Sequence, residues 1–87
     1  MNWKEEKIGK AKTALTKSYE FEDFTEAWAF MNAVAEIAEE MNHHPNWSNV
    51  YNRVSIMLTS HDFGSIVTDT DREMAKAIDA LFDDESE

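Results

Sequence analysis

The sequence predicts an α+β domain, an antiparallel β-sheet with two α-helices packed on one of its faces, in the order β-α-β-β-α. Three observations carry this. Over 11–21 apolar residues alternate, with Leu15, Tyr19 and Phe21 on odd positions against Lys12, Thr16, Ser18 and Glu20 on even ones. Over 24–41 they recur at three- and four-residue steps instead. Alternation returns over 53–60, and a second helical stripe follows it.

Residues 1–9 are short, mixed in charge and end on Gly9, so they read as a lead-in that turns into the first strand, with Trp3 and Ile8 docking it. Lys17 breaks the apolar face of that strand, which suggests an edge position. Asp23 followed by Glu26 has the form of a helix N-cap with an acid at its third position. The helix from Phe24 to Met41 carries Phe24, Ala27, Trp28, Met31, Val34, Ala35, Ala38 and Met41 on the stripe expected to face the core. Phe30, Ala33 and Ile37 form a second line beside it, wider than one sheet face needs, which reads equally as a subunit contact or as the apolar surface any small domain shows. Pro45 is expected to stop this helix, since it lacks an N–H and its ring clashes one turn back. His44, preceding proline, is pushed out of the α region.

Trp47 to Val50 and Arg53 to Ser60 then read as two strands around a weak turn at Tyr51–Asn52, with one bent strand as the alternative. Val54, Ile56 and Leu58 fall on one face; Arg53, Ser55, Met57, Thr59 and His61 fall on the other. Asp62 to Ser65 is a loop. Thr68 with Asp71 can cap a second helix, Thr70 with Glu73 being a competing start, and Met74, Ala75, Ile78, Leu81 and Phe82 form its stripe. The residues over 83–87 are four acids and a serine, expected to fray. With no repeat and no internal linker, 1–87 is a single domain.

The chain has 87 residues and a formal charge of -10, from 18 acidic and 8 basic residues. A chain this size buries roughly 60–65% of its unfolded surface, which leaves modest stability and favours self-association as a homodimer or homotetramer. Its charge repels a phosphate backbone, so no direct nucleic-acid partner is expected. Without cysteine there is no disulfide framework, thiolate nucleophile or zinc-finger spacing. Neither a membrane-spanning run nor a signal peptide is recognisable, and a cytoplasmic location is expected.

The chemistry concentrates in two places. Glu39 to Trp47 contains the adjacent histidines His43 and His44, and a third histidine, His61, follows the last strand with Asp62 beside it. Imidazole exchanges protons near pH 7. A metal site is not expected, because adjacent histidines on a turning chain splay apart and structural sites usually want four ligands.

Glu39, His43, His44 and Pro45, followed by Tyr51, His61 and Asp71, match in type and spacing the active-site motif of the pterin-4a-carbinolamine dehydratases, also called 4a-hydroxytetrahydrobiopterin dehydratases. The segments 21–24, 27–30, 34–39, 49–54 and 68–71 also resemble that family, and the likeness spans about residues 14 to 80. Two departures stand out. The amino-terminal helix that many members carry is lacking, which bears on oligomer packing, and Phe63 stands where small residues are usual, which bears on the pocket rim.

The resemblance implies a hydro-lyase that dehydrates 4a-hydroxytetrahydropterin to quinonoid dihydropterin in cofactor recycling. Pterin is then the substrate and no separate cofactor is required. It further implies that His43, His61 and His44 form the catalytic set, with His43 and His61 as the acid–base pair and His44 also touching the pterin. Pro45, Trp47, Tyr51 and Asp62 are the expected substrate-binding residues, and Glu39 and Asp71 are expected to support them. Two alternatives stay open: a non-catalytic protein-binding module, such as a dimerisation cofactor or coactivator, and a pterin role outside aromatic hydroxylation, such as molybdopterin metabolism.

Overall fold

In the computed structural model, residues 3–82 are described; the acidic tail expected over 83–87 lies outside them. The elements are β1 (Lys4–Gly9), β2 (Lys12–Glu20), α1 (Phe24–Met41), β3 (Asn46–Val50), β4 (Arg53–Leu58), a 3₁₀ turn (His61–Phe63) and α2 (Asp69–Ala80). The four strands form one antiparallel sheet in the order β1-β2-β4-β3. The α+β class therefore stands, and the order gains a strand at its start.

That strand replaces the expected lead-in. β1 reads Lys-Glu-Glu-Lys-Ile-Gly and is exposed along its whole length, so nothing in it alternates. Its place is set by β2, with which it pairs from Lys4 opposite Thr16 to Gly9 opposite Lys12, across a turn where Ala11 takes φ 60. Charge along an edge strand discourages pairing with foreign chains.

β2 consequently lies inside the sheet, which corrects the edge reading of Lys17. Its ammonium is placed on the helix side, 2.9 Å from Asp79 Oδ1 of α2 and 4.7 Å from the centre of the Tyr19 ring. Tyr19 Oη donates to the same carboxylate oxygen at 2.8 Å, and the Trp3 indole donates to Asp79 Oδ2 at 3.2 Å. One carboxylate thus fastens β2, the residue ahead of β1 and the end of α2 together.

Val54, Ile56 and Leu58 of β4 face the helices together with Leu15 and Tyr19 of β2. Against them α1 buries Ala27, Phe30, Val34 and Ala38, and α2 buries Met74, Ala75 and Ile78. The expected stripe of α1 is corrected here. Phe30 is 6% exposed and packs with Tyr19, Phe21 and Phe82, whereas Phe24 and Trp28 are 45% and 52% exposed and stack on each other. Ala35 is exposed as well, and Ile37 packs at the core margin. The apolar arc of α1 is wide enough to sit on the sheet along either of its edges. The aromatic cluster at the end of β2 selects the Phe30 edge.

Both helix starts follow their caps. Asp23 Oδ1 accepts from the Glu26 N–H at 3.0 Å. At α2 the Thr68 start wins, with Asp71 Oδ2 accepting from the Thr68 N–H at 2.9 Å. The end of α1 is made differently from expectation: Asn42, not Pro45, stops it. Asn42 adopts the left-handed conformation (φ 52), and the Asn42 and His43 N–H groups close back on the Ala38 carbonyl. Asparagine tolerates this region, so the helix ends before the proline is reached. The β3–β4 hairpin closes through Tyr51 at φ 51 and Asn52. No helix among the described residues is long and apolar enough to cross a membrane.

Candidate active site

Three chain segments converge at the C-terminal end of α1. The left-handed Asn42 throws His43 and His44 away from the helix axis, and β4 delivers Ser60 and His61 to the same place. There the 3₁₀ turn ends on Gly64 at φ 82, a conformation natural to glycine, and an antiparallel bridge from Ser60 to Ile66 closes the loop. Asp71 and Thr70, in the first turn of α2, form the back.

Between them is a cleft of about 340 Å³ lined by all three histidines together with Asn42, Ser60, Asp62, Phe63 and Thr70. That volume falls in the range of small-ligand sites, roughly 300–1,000 Å³. A larger hollow of about 540 Å³ lies on the open face of the sheet, where Trp47 but no histidine borders it. Its titratable lining is Lys4, Glu6 and Lys17, whereas the smaller cleft gathers imidazoles, the groups suited to proton exchange near pH 7.

His43 and His44 point to different partners. His43 Nε2 is 2.6 Å from Oδ1 of Asp71, whose side chain has no exposed surface. The other oxygen of Asp71 accepts from Ser60 Oγ at 2.7 Å and from the Thr68 N–H at 2.9 Å. Among the described residues no buried side-chain nitrogen or oxygen lacks a hydrogen-bond partner. His44 Nε2 lies 2.8 Å from Glu39 Oε2, and both side chains are exposed. Glu39 thus faces His44 and not His43, although His43 follows it by one helical turn in sequence. His61 is exposed, with Nδ1 3.4 Å from Ser65 Oγ.

Asp62 lines the cleft, and Phe63, 66% exposed, stands on its rim. Pro45 directly precedes β3 and does not line the cleft. Trp47 packs on the core from β3. Tyr51 sits in the hairpin turn at the far end of β3, roughly 15 Å away at about 3.3 Å per residue. Within this chain the structure does not bring Tyr51 to the histidines. Among the described residues no three of His, Asp and Glu converge as a metal ion requires.

Sequence reasoning passed over Ser60 and Thr68 as part of the site. Ser60 is only 4% exposed and next to a histidine, and a polar residue buried at the end of a strand needs a partner. The burial that gives this signal is a tertiary quantity.

The family model described as Pterin 4 alpha carbinolamine dehydratase matches residues 1–81. Two bacterial relatives provisionally named as pterin-4-alpha-carbinolamine dehydratases are similar over most of the chain. The one from Synechococcus sp. (strain WH7803) is 60% identical over 67 residues, 77% of this chain and 71% of its own length. The one from Rhodospirillum rubrum is 51% identical over 74 residues, 85% of this chain and 76% of its own length. Among solved structures, a transcriptional coactivator/pterin dehydratase from Brucella melitensis superimposes with TM-score 0.78 at 39% identity, over 88% of this chain and 80% of that one. A pterin dehydratase-like protein identified as a RuBisCO assembly factor in the alpha-carboxysome gives 0.76 at 29% identity, over 93% and 89%.

Proposed function

The chain belongs to the pterin 4 alpha carbinolamine dehydratase family, and on that premise we propose that it is a cytoplasmic hydro-lyase. Its substrate is a 4a-hydroxytetrahydropterin and its product the quinonoid dihydropterin. The observation that carries this reading is the convergence of His43, His44 and His61 on one ligand-sized cleft.

The reaction breaks the C4a–O bond and forms a C4a=N5 double bond. One imidazolium gives its proton to the departing hydroxyl, which leaves as water, and one neutral imidazole takes the proton from N5. The protons balance, so neither a redox partner, a metal nor a cofactor enters the scheme. His43 and His61 exchange these protons, and His44 holds the pterin. Asp62 contributes polar contact, and Phe63 on the rim offers a flat apolar surface to the bicyclic ring. Asp71 orients His43 through its 2.6 Å contact.

Single His43→Ala and His61→Ala variants are expected to lower kcat by roughly 10²–10⁴-fold. His44→Ala is expected chiefly to raise KM. The double variant costs more than either single one, until only uncatalysed elimination remains. Stopped-flow turnover on chains whose fold is checked by circular dichroism decides the matter. If both folded single variants keep wild-type kcat, the enzyme reading falls.

A second reading, a non-catalytic protein-binding role, draws support from the exposed Phe24–Trp28 stack and from the assembly role of one structural neighbour. It predicts that purified RuBisCO captures the chain, and that Trp28→Glu abolishes capture while the histidine variants leave it intact.

A further inference from the structure

Behind His43 lies a chain of two hydroxyls and a carboxylate that ends on its imidazole. Thr68 Oγ1 and Ser60 Oγ are 2.7 Å apart, and Ser60 Oγ donates to Asp71 Oδ2 at 2.7 Å. Thr68 Oγ1 is also within 3.4 Å of Asp71 Oδ2, but the Ser60 contact is far shorter, so the Ser60 hydrogen goes to Asp71 and the Thr68 hydroxyl donates to Ser60. The Thr68 N–H supplies Oδ2 with a second short donor at 2.9 Å. A carboxylate so occupied on one oxygen presents the other as an acceptor only, and that oxygen, Oδ1, meets His43 Nε2 at 2.6 Å.

We propose that Ser60 is a positioning residue for His43. Its hydroxyl fixes the orientation of Asp71, and Asp71 in turn holds the neutral imidazole as the Nε2–H tautomer, leaving Nδ1 as the nitrogen that exchanges the substrate's proton. The backbone of Ser60 explains why this residue rather than a neighbour can do so. Its N–H donates to the Ile66 carbonyl at 3.0 Å, and its carbonyl accepts from the Phe63 and Ser65 N–H groups at 3.1 and 3.0 Å. Ser60 is therefore the anchored root of the loop that carries His61. One buried side chain ties that loop, the first turn of α2 and His43 into a single arrangement, so the two imidazoles keep a fixed separation.

The proposal rests on reading His43 as an acid–base group, so its test has a readout that needs no turnover. In the uniformly ¹⁵N-labelled full chain, long-range proton–nitrogen correlation reports which ring nitrogen of neutral His43 carries the proton. The wild type is expected to show Nε2–H. Ser60→Ala is expected to move His43 toward a mixture of tautomers and to lower kcat by roughly 10- to 100-fold at nearly unchanged KM. Ser60→Thr, which keeps the hydroxyl, is expected to restore both.

If wild-type His43 carries its proton on Nδ1, the proposal is overturned. It is overturned as well if a folded Ser60→Ala chain keeps the Nε2–H tautomer, even if melting temperature or kcat falls, because Ser60 would then be structural only. Should Ser60→Ala not fold, Ser60→Cys keeps the size with a weaker donor and is expected to give an intermediate tautomer ratio; an unchanged ratio there overturns the proposal too. A wild type that turns over no 4a-hydroxytetrahydropterin defeats the enzyme reading separately, and the tautomer measurement still decides the role of Ser60.

Discussion

Asp71 has no exposed surface, and the Ser60 hydroxyl, the Thr68 N–H and the His43 imidazole all meet its two oxygens. Removing it strands buried donors, each worth about 1–3 kcal/mol when left unpaired. Asp71→Ala is therefore expected to destabilise the chain by roughly 3 kcal/mol, and by less as Asp71→Asn, whose amide keeps one acceptor. The pair between Glu39 and His44 has the same formal description, a carboxylate 2.8 Å from an imidazole, yet both groups are solvated. Glu39→Ala is expected to change stability by under about 0.5 kcal/mol. Urea denaturation of the two variants checks the contrast, and equal costs would mean that the buried network does not form.

At the scale of the element, α1 shows how a correct helix can be seated on an unexpected face. Phe30 sits among Tyr19, Phe21 and Phe82, with ring centroids 4.7–5.4 Å away, while Trp28 looks outward. Phe30→Ala is expected to cost about 3–5 kcal/mol, the usual range for a core phenylalanine. Trp28→Ala is expected to cost about 1 kcal/mol. Denaturation midpoints distinguish them; a reversed order would place the helix on the stripe that periodicity alone favoured. The exposed Trp28 and Phe24 also move the available apolar surface of α1 to its N-terminal half, since Phe30 is buried within the chain and is not free for a partner subunit.

For the whole molecule, stability at the extremes of pH follows from the Asp79 cluster. Burial pushes the Asp79 carboxyl up, but hydrogen bonds from Lys17 and Tyr19, the Lys17 charge and the Trp3 indole outweigh it and hold the group below its ordinary 3.8. A carboxyl depressed by folding adds stability above its unfolded value and loses it as pH falls through the folded one. Tyr19 is displaced the other way: burial first, then the hydrogen bond and charge of Asp79, push its phenol well above the ordinary 10.0. Its contribution is complete below about pH 10 and declines above it. The stability gap between wild type and Asp79→Asn is expected to shrink below about pH 4, and that between wild type and Tyr19→Phe to shrink above about pH 10. Urea midpoints across pH give both, and gaps that stay constant would remove the cluster from the pH dependence. Assembly is the second whole-molecule expectation. β3 is an uncharged edge of five residues, Asn46–Val50, whereas the opposite edge, β1, is charged over Lys4 to Lys7. An unprotected edge pairs readily with another copy, so a dimer or a tetramer is expected. Light scattering after size exclusion at micromolar concentration checks it, and a fully active monomer near 10.1 kDa overturns it.

What the sequence determined by itself was whatever local chemistry enforces. Alternation set β2 and β4, the Asp23 cap set the start of α1, and the spacing of Glu39, His43, His44, Pro45, His61 and Asp71 carried the family; at α2 the sequence narrowed the start to Thr68 or Thr70. The tertiary structure alone decided what depends on neighbours distant in sequence. β1 has no pattern of its own and exists because β2 offers it an edge. Lys17 sits inside the sheet because Asp79, 62 residues away, meets its charge. His43 pairs with Asp71 across 28 residues, while Glu39, one helical turn back, goes to His44, because the left-handed Asn42 turns the two imidazoles apart. Periodicity reports which residues are apolar, but not which edge of a broad apolar arc meets the sheet, nor which carboxylate loses its water; those follow from packing, where burial fixes the cost of every unpaired group.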